Sequence, residues 1–352
     1  MYARVDEAID QLLNDAELRA VCLTTADKNL RRALDRRVRA GTLVSPLPGL
    51  YARGQRWLHG LTPTQRALHV LGALHELHPT WRFCGPSAAV LQGLSVSHGL
   101  LGTIHLAVSP GSGVRSSEPY RRHVIPDEEA TEAGGVPVTS LLRTTFDCMR
   151  WLDFREGLAV ADSALRVGGL SREELVAYVE QMRGGYRGVA QARMTAAHAD
   201  GRSENGGESI ARAAMWELGF AMPDLQVEVT SPFSGSGLYR VDFRWFLPDG
   251  TEVYGEHDGD EKYLNPLMNG GSPLRTMKRE RKRESGLTVS HASVMRFSPA
   301  DVADTVYFDW LLRYYGVPRE REPLIEIPSA GGIVIPEPPE IEVVPVEAYG
   351  LE

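Results

Sequence analysis

The sequence predicts an α/β chain (mixed α+β) with three folded parts. Apolar positions switch repeatedly between a period near 3.6 and a period of 2, the patterns of amphipathic helices and half-buried strands. A polar, glycine-rich stretch at 198–207, HADGRSENGG, divides the chain. Beyond it, residues 208–302 read as one ordered series, α-β-β-β-α-β. Of 352 residues, 43% are hydrophobic and 24% charged, a globular composition. No apolar run approaches the roughly 18–20 residues that cross a bilayer. The acidic, amphipathic start MYARVDEAIDQLLNDAEL lacks the basic and apolar regions of a secretory signal. Cys22, Cys84 and Cys148 lie far apart without a CxxC pair, which fits neither a disulfide framework nor a zinc site. A cytoplasmic protein with no membrane partner is expected.

The elements follow in order. Residues 4–20 place Val5, Ile9, Leu12, Leu13 and Leu18 at helical spacing. Asp27 or Thr25 can cap a second helix carrying Leu30, Leu34 and Val38 on one face, and Gly41 ends it. TLVSPLPGLYA then reads as a short hairpin with Pro46–Gly49 in its turn. Helix, turn, helix and two-stranded wing make a winged helix-turn-helix pattern over residues 1–58. The middle part, 59–197, is α/β. WRFCGPSAAVLQGL forms a helix after a tight turn at Gly85–Pro86, and TIHLAVSP and HVIPD are strands. VPVTSLLRTTFDCMRWL passes from an extended VPVT into a helix capped by Thr139 or Ser140. The histidines here lack metal-ligand spacing and are assigned no role. In the third part, 198–318, ESIARAAMWELGF is a helix, and LQVEVTSP, LYRVDFRWFLP and TEVYGEHDG are strands. MKRERKRESGL is a basic helix and SVMRFSPADV a last strand leading into a helix. The tail, 319–352, holds six prolines and eight glutamates against two arginines, and is expected to be disordered or loosely extended, with isolated valine–isoleucine clusters that could dock on a partner or on the body of the protein.

Net charge is −8, yet Lys28–Arg56 holds eight basic residues against the single acid Asp35, a net +7. Lys28, Arg31, Arg32, Arg36, Arg37, Arg39 and Arg53 are therefore candidate phosphate-binding residues, on the helix that would enter a DNA groove and at the end of the wing. A solvated charged face is the alternative. In the third part, strand alternation puts Glu256 and Asp258 on one face. Asp249–Gly250 closes a hairpin that brings Asp242 toward Glu256. Three carboxylates converging on one end of a sheet repel one another and rise in pKa unless a cation neutralises them. Hard oxygen ligands suit Mg²⁺ or Mn²⁺, and such an ion can activate water against a phosphodiester. Lys262, four residues after Asp258, and the helix bearing Lys278, Arg279, Lys282 and Arg283 are positioned to hold a DNA backbone. An ordinary hairpin with solvated acids remains the alternative.

Over about 100 residues, RSENGGES, LQVEV, YRVDFRW, VYGEHDG, RERKRESGL and VMRFSPADV, in this order and spacing, resemble the very-short-patch-repair and restriction-endonuclease-like domains of the PD-(D/E)xK superfamily. The resemblance implies that Asp242 is the first acid, Glu256 the acid opening (D/E)xK, and Glu208 the helix glutamate that assists through water. The lysine position of the motif holds Asp258, so the cation must come from elsewhere, with Lys262, Lys278 and Lys282 as candidates. The first 200 residues, through the winged-helix segment, CGPSAAVLQGL, VPVTSLLRTTFDCMRWL and LAVADSALRVGGLSREEL, resemble the AbiEi-type antitoxins of abortive-infection (type IV toxin–antitoxin) systems. That resemblance implies DNA binding at the N-terminus and a protein partner such as a cognate toxin.

The expected function is metal-dependent DNA cleavage, with Asp242 and Glu256 binding Mg²⁺ or Mn²⁺ and Asp258 as a third ligand or water-orienting group. The alternative is a DNA-binding transcriptional regulator or antitoxin whose nuclease-like part is silent. Both predict salt-sensitive DNA binding, and oligomeric state stays open.

Overall fold

In a computed structural model, residues 2–113, 115–182, 185–230, 238–258 and 292–328 are described. The chain forms two compact units, Met1–Gly201 and Arg202–Glu352, and the boundary in sequence falls within the polar stretch 198–207. Lys262, Lys278, Arg279, Lys282 and Arg283, with the basic helix expected around them, lie outside the described residues. Among the described residues, no helix is long and apolar enough to cross a membrane.

The first unit opens with α1 (Tyr2–Leu18), which buries Ile9, Leu13 and Ala16. Asp27 caps α2 (Lys28–Arg39), its carboxylate accepting from the backbone N–H of Asn29 and Leu30. Leu34 is fully buried, and Leu30 and Val38 pack beside it. Gly41, at φ +78°, lets the chain leave the helix and enter the antiparallel pair β1 (Leu43–Val44) and β2 (Ala52–Arg53). Thr62 caps α3 (Pro63–Leu77) through a capping box with Gln65.

A mixed five-stranded sheet follows, in the order β5 (Tyr120–Val124), β4 (Ile104–Val108), β3 (Arg82–Phe83), β7 (Val136–Thr139), β6 (Ala130–Ala133). One apolar cluster runs from Ile9 and Leu34 through Leu74 to Phe83, Ile104 and Val138. The first 58 residues thus share their core with the sheet. Against the sheet and one another pack α4 (Gly85–Leu91), α5 (Leu141–Trp151), α6 (Phe154–Arg166), α7 (Arg172–Gln181) and α8 (Val189–His198). Ser140 caps α5 by accepting from Arg143 N–H. Inside, Asp147 takes the Nε of Arg143 at 2.8 Å and that of Arg150 at 2.7 Å.

The second unit begins with α9 (Gly206–Glu217) and builds a four-stranded sheet in the order β11 (Ala292–Phe297), β10 (Glu252–His257), β9 (Leu238–Phe246), β8 (Asp224–Thr230). Strands β8, β9 and β10 are antiparallel, and β11 runs parallel to β10. Gly250, at φ +85°, turns the β9–β10 loop, where Asp249 accepts from the N–H and hydroxyl of Thr251. Ala211, Ala214 and Met215 of α9, with Leu218 just after it, pack with Phe243, Val253, Met295 and Phe297 of the sheet. Two final helices, α10 (Pro299–Ala303) and α11 (Thr305–Tyr314), close this core with Val302, Phe308 and Leu312.

The start of the acidic tail is extended and docks on the second unit, one of the alternatives that the sequence left open. Glu320 N–H donates to Gly219 O at 2.8 Å, Leu324 N–H donates to Glu217 O at 2.7 Å, and Ile325 and Ile327 pack on the core. Partial burial of two isoleucines favours this docking. Residues 329–352 lie outside the described ones.

Candidate functional site

The site is built where α9 starts against the sheet. Asn205 caps the helix, its Oδ1 accepting from Glu208 N–H at 3.0 Å. Glu208, one turn in, folds back. Its Oε1 accepts from Asn205 Nδ2 at 2.6 Å and its Oε2 from Glu204 N–H at 2.7 Å. Gly207 lets the first turn of α9 lie close against β10, because a Cβ there would overlap Cε1 of His257. Glu208 is 3% exposed. Burial, and then the charge of Asp242, carry its pKa from 4.5 up to about 7, against the lowering effect of its hydrogen bonds to Glu204 N–H and Gln226.

Asp242 lies on β9, and the pairs Leu225↔Phe243 and Val227↔Val241 place Gln226 of β8 opposite it. Gln226 Nε2 donates to Glu208 Oε2 at 3.0 Å and to Asp242 Oδ1 at 3.4 Å, bridging the two acids. The other oxygen of Asp242 accepts from His257 N–H at 2.9 Å. Gln226 has φ +54°, a left-handed conformation inside a strand. For a non-glycine residue that costs about 1–3 kcal/mol and persists only where the surroundings enforce it.

Glu256 precedes His257 on β10, one residue beyond the last β9–β10 pair Gly255↔Phe243, and is 5% exposed. Opposite it on β11 is Arg296. Arg296 Nη1 donates to Asp258 Oδ2 at 3.0 Å. The fold thus brings Glu208 and Asp242 together through Gln226 and sets Glu256 beside the backbone that holds Asp242. Asp258 is drawn instead to Arg296. Among the described residues, no group of three or more His, Cys, Asp or Glu side chains is arranged to hold a metal. Of the three acids expected to converge, Asp242 is bridged to Glu208, Glu256 lies next to the residue whose N–H donates to Asp242, and Asp258 pairs with Arg296.

The donors nonetheless fit a hard divalent cation. Asp242 raises the pKa of Glu208 by repulsion, which a cation would relieve. The buried Gln226 Oε1 has no hydrogen-bond partner among the described residues, and all these atoms are hard oxygens. Asp242 and Glu256 could hold such an ion. Gln226 and Arg296 escaped the sequence reading. Counting the hairpin register back from Asp242 to β8, and forward from Glu256 to β11, is the signal that finds both.

On the first unit the structure separates the candidate DNA-binding residues into two sets. Arg37 pairs with Asp6, and Arg53 pairs with Asp10 at 3.5 Å and Glu17 at 3.0 Å, all acids of α1. Arg31 donates to Thr25 O at 3.1 Å and Arg39 to Asp35 O at 3.3 Å. Lys28, Arg32 and Arg36 stand one turn apart on α2, exposed, and their side chains make no hydrogen bond or ion pair among the described residues. Residues at i and i+4 line one helix face, so these three form a stripe.

These features define a two-unit α/β protein with a cationic helix on one unit and a bridged acid pair on the other. The chain is 30% identical over 236 residues to an uncharacterized protein of Mycobacterium tuberculosis strain H37Rv, covering 67% of this chain and 81% of the relative. The same figures hold for an uncharacterized protein of strain CDC 1551. The chain belongs to the family of these mycobacterial proteins. No family model matches it. No solved structure matches it significantly.

Proposed function

We propose that the protein is a metal-dependent DNA endonuclease of defence or repair. Its N-terminal segment acts as a winged helix-turn-helix, and its second unit acts as a restriction-endonuclease-like domain. The observation that carries this reading is the bridge Glu208–Gln226–Asp242 beside Glu256 at one end of the sheet. A bound Mg²⁺ or Mn²⁺ would supply an activated water and neutralise charge on the phosphodiester. Asp242 and Glu256 would hold it. Glu208, with its pKa near neutrality, is poised to exchange a proton at Oε1 or Oε2 with water near the scissile group. Arg296 brings a positive charge to the Asp258 position, where the resemblance has lysine. The Lys28–Arg32–Arg36 stripe supplies phosphate affinity on the other unit.

A second reading has one observation in its favour. Arg296 neutralises Asp258 at 3.0 Å, leaving the motif without a free lysine at that place. On that reading the protein is a DNA-binding regulator of the AbiEi antitoxin kind, with a silent nuclease-like unit and a toxin as partner. Incubation with supercoiled plasmid, in Mg²⁺, Mn²⁺ or EDTA, separates the two. Metal-dependent nicking by the wild type, lost in Asp242→Ala and Glu256→Ala, is expected. Salt-sensitive DNA binding with no cleavage in either metal would favour the regulator.

A further inference from the structure

We infer that Gln226 is the positioning residue of this cluster, setting the separation of Glu208 and Asp242 for a hydrated divalent cation. The inference rests on the metal-dependent reading above and goes beyond it, because Gln226 belongs to none of the acidic positions that reading uses. Three observations carry it. The amide Nε2 has two hydrogens, and its two acceptors are the two acids, at 3.0 Å and 3.4 Å. With both hydrogens so directed, the amide plane is fixed and Oε1 is left buried with no donor among the described residues. A buried acceptor without a donor is costly. Water on a hydrated cation is a donor that the chain itself does not provide, and Mg²⁺ commonly keeps several waters when bound by one or two carboxylates.

The backbone makes the third observation. Gln226 adopts φ +54° in the middle of β8, while its neighbours Leu225 and Val227 keep the register with β9. Glycine would occupy that conformation without strain. A side chain retained there, and bonded to two acids across α9 and β9, is held by those bonds and not by strand geometry. Outer residues that orient metal-binding carboxylates typically change cation affinity about 10- to 100-fold when removed.

The test is a titration of the full chain with Mn²⁺, with free ion read by electron paramagnetic resonance, for wild type, Asp242→Ala, Gln226→Ala and Gln226→Gly. Gln226→Gly relieves the left-handed strain while deleting the amide, so its thermal midpoint should stay close to wild type. Binding by the wild type is expected, with loss in Asp242→Ala. Weakening by about 10- to 100-fold is expected in both Gln226 variants. If Gln226→Gly binds Mn²⁺ as the wild type does, while Asp242→Ala does not, the positioning role is overturned and the metal site stands. If the wild type binds no Mn²⁺, the site reading falls and takes this inference with it.

Discussion

Replacing Lys28, Arg32 and Arg36 together with alanine should flatten the salt dependence of DNA binding. Each phosphate neutralised contributes about 0.9 to the slope of log affinity against log salt, so three free cations contribute about 2.7. From about 50 to 200 mM salt, a slope difference of that size corresponds to roughly 40-fold in affinity. The three side chains rise along one face of α2, and the nine residues from Lys28 to Arg36 span about 12 Å. At one phosphate per about 3.4 Å of one strand, that length matches three to four phosphates. Alanine is the best helix former, so α2 should survive the change. The control is Arg37→Ala with Arg53→Ala, whose guanidinium groups are already satisfied by Asp6, Asp10 and Glu17. Those two should cost about 0.2–1 kcal/mol each in stability and leave the slope nearly unchanged. Fluorescence anisotropy of a labelled mixed-sequence duplex across a KCl series reads the slope without knowledge of a preferred site. A triple variant with the wild-type slope, or an equal loss from the paired arginines, would refute the assignment of the stripe.

Glu208 and the histidine pair make opposite pH predictions. A carboxyl raised from 4.5 to about 7 in the fold takes up a proton before the unfolded chain does, so stability contributed by this group increases as pH falls from about 7 toward 4.5. The full effect is about 3 kcal/mol, and Glu208→Gln should flatten that rise in thermal melts run in EDTA. His105 and His123, hydrogen-bonded at 3.1 Å with His123 stacked on Trp151, are each held down to about 4 from 6.5. Burial is the main cause, aided by Arg121 at both rings and, at His123, also by His105, Arg150 and Arg143. Their contribution is present above pH 6.5 and lost as pH falls through 4, on the order of 1–2 kcal/mol after solvent screening. His123→Phe keeps the stacking and should remove about half of that acid sensitivity, since His105 is held down by its own burial and by Arg121. Gly207→Ala should cost about 1–3 kcal/mol by driving a Cβ into His257. It should also weaken Mn²⁺ binding, and a variant with unchanged stability would mean that α9 moves freely against β10.

Local chemistry announced much of the fold. Asp27, Ser140, Gly41 and the Asp249–Gly250 turn act within a few residues of themselves, and each sits where its chemistry requires. What the sequence hid depends on partners distant in the chain. Strand β3 has two residues, too few for a period, and exists because Phe83 pairs with Leu106 and Val138. The charge of α2 was plain, but which arginines are free depends on Asp6, Asp10 and Glu17, one helix earlier. At the site, Asp242 and Glu256 were readable from the hairpin. The left-handed turn at Gln226 and the capture of Asp258 by Arg296 were not, since both arise from neighbouring strands. In REREPLIEI the isolated isoleucines leave open whether they dock on a partner or on the body, and only the fold shows that Ile325 and Ile327 join the core of the second unit.

The corner around Asp242 also offers a way to decide between the two readings without DNA. At pH 8 Glu208 and Asp242 are both charged and repel, which is part of what raises the Glu208 pKa. At pH 5 Glu208 is protonated in the fold, and that repulsion is gone. Asp242→Asn relieves that repulsion at pH 8, where Glu208 is charged, and has none to relieve at pH 5. Its midpoint relative to wild type should therefore be more favourable at pH 8 than at pH 5, whatever the substitution costs in lost hydrogen bonding, since that cost is common to both. Equal differences at the two pH values would mean that the acids do not interact. A cation bound only by the native state stabilises it by RT ln(1 + [L]/Kd), and it does so by offsetting this same repulsion. Millimolar Mn²⁺ at pH 8 should then raise the midpoint of the wild type and leave Asp242→Asn unmoved. A silent regulator would keep the pH effect, because repulsion belongs to the fold, and would show no response to Mn²⁺ in either protein.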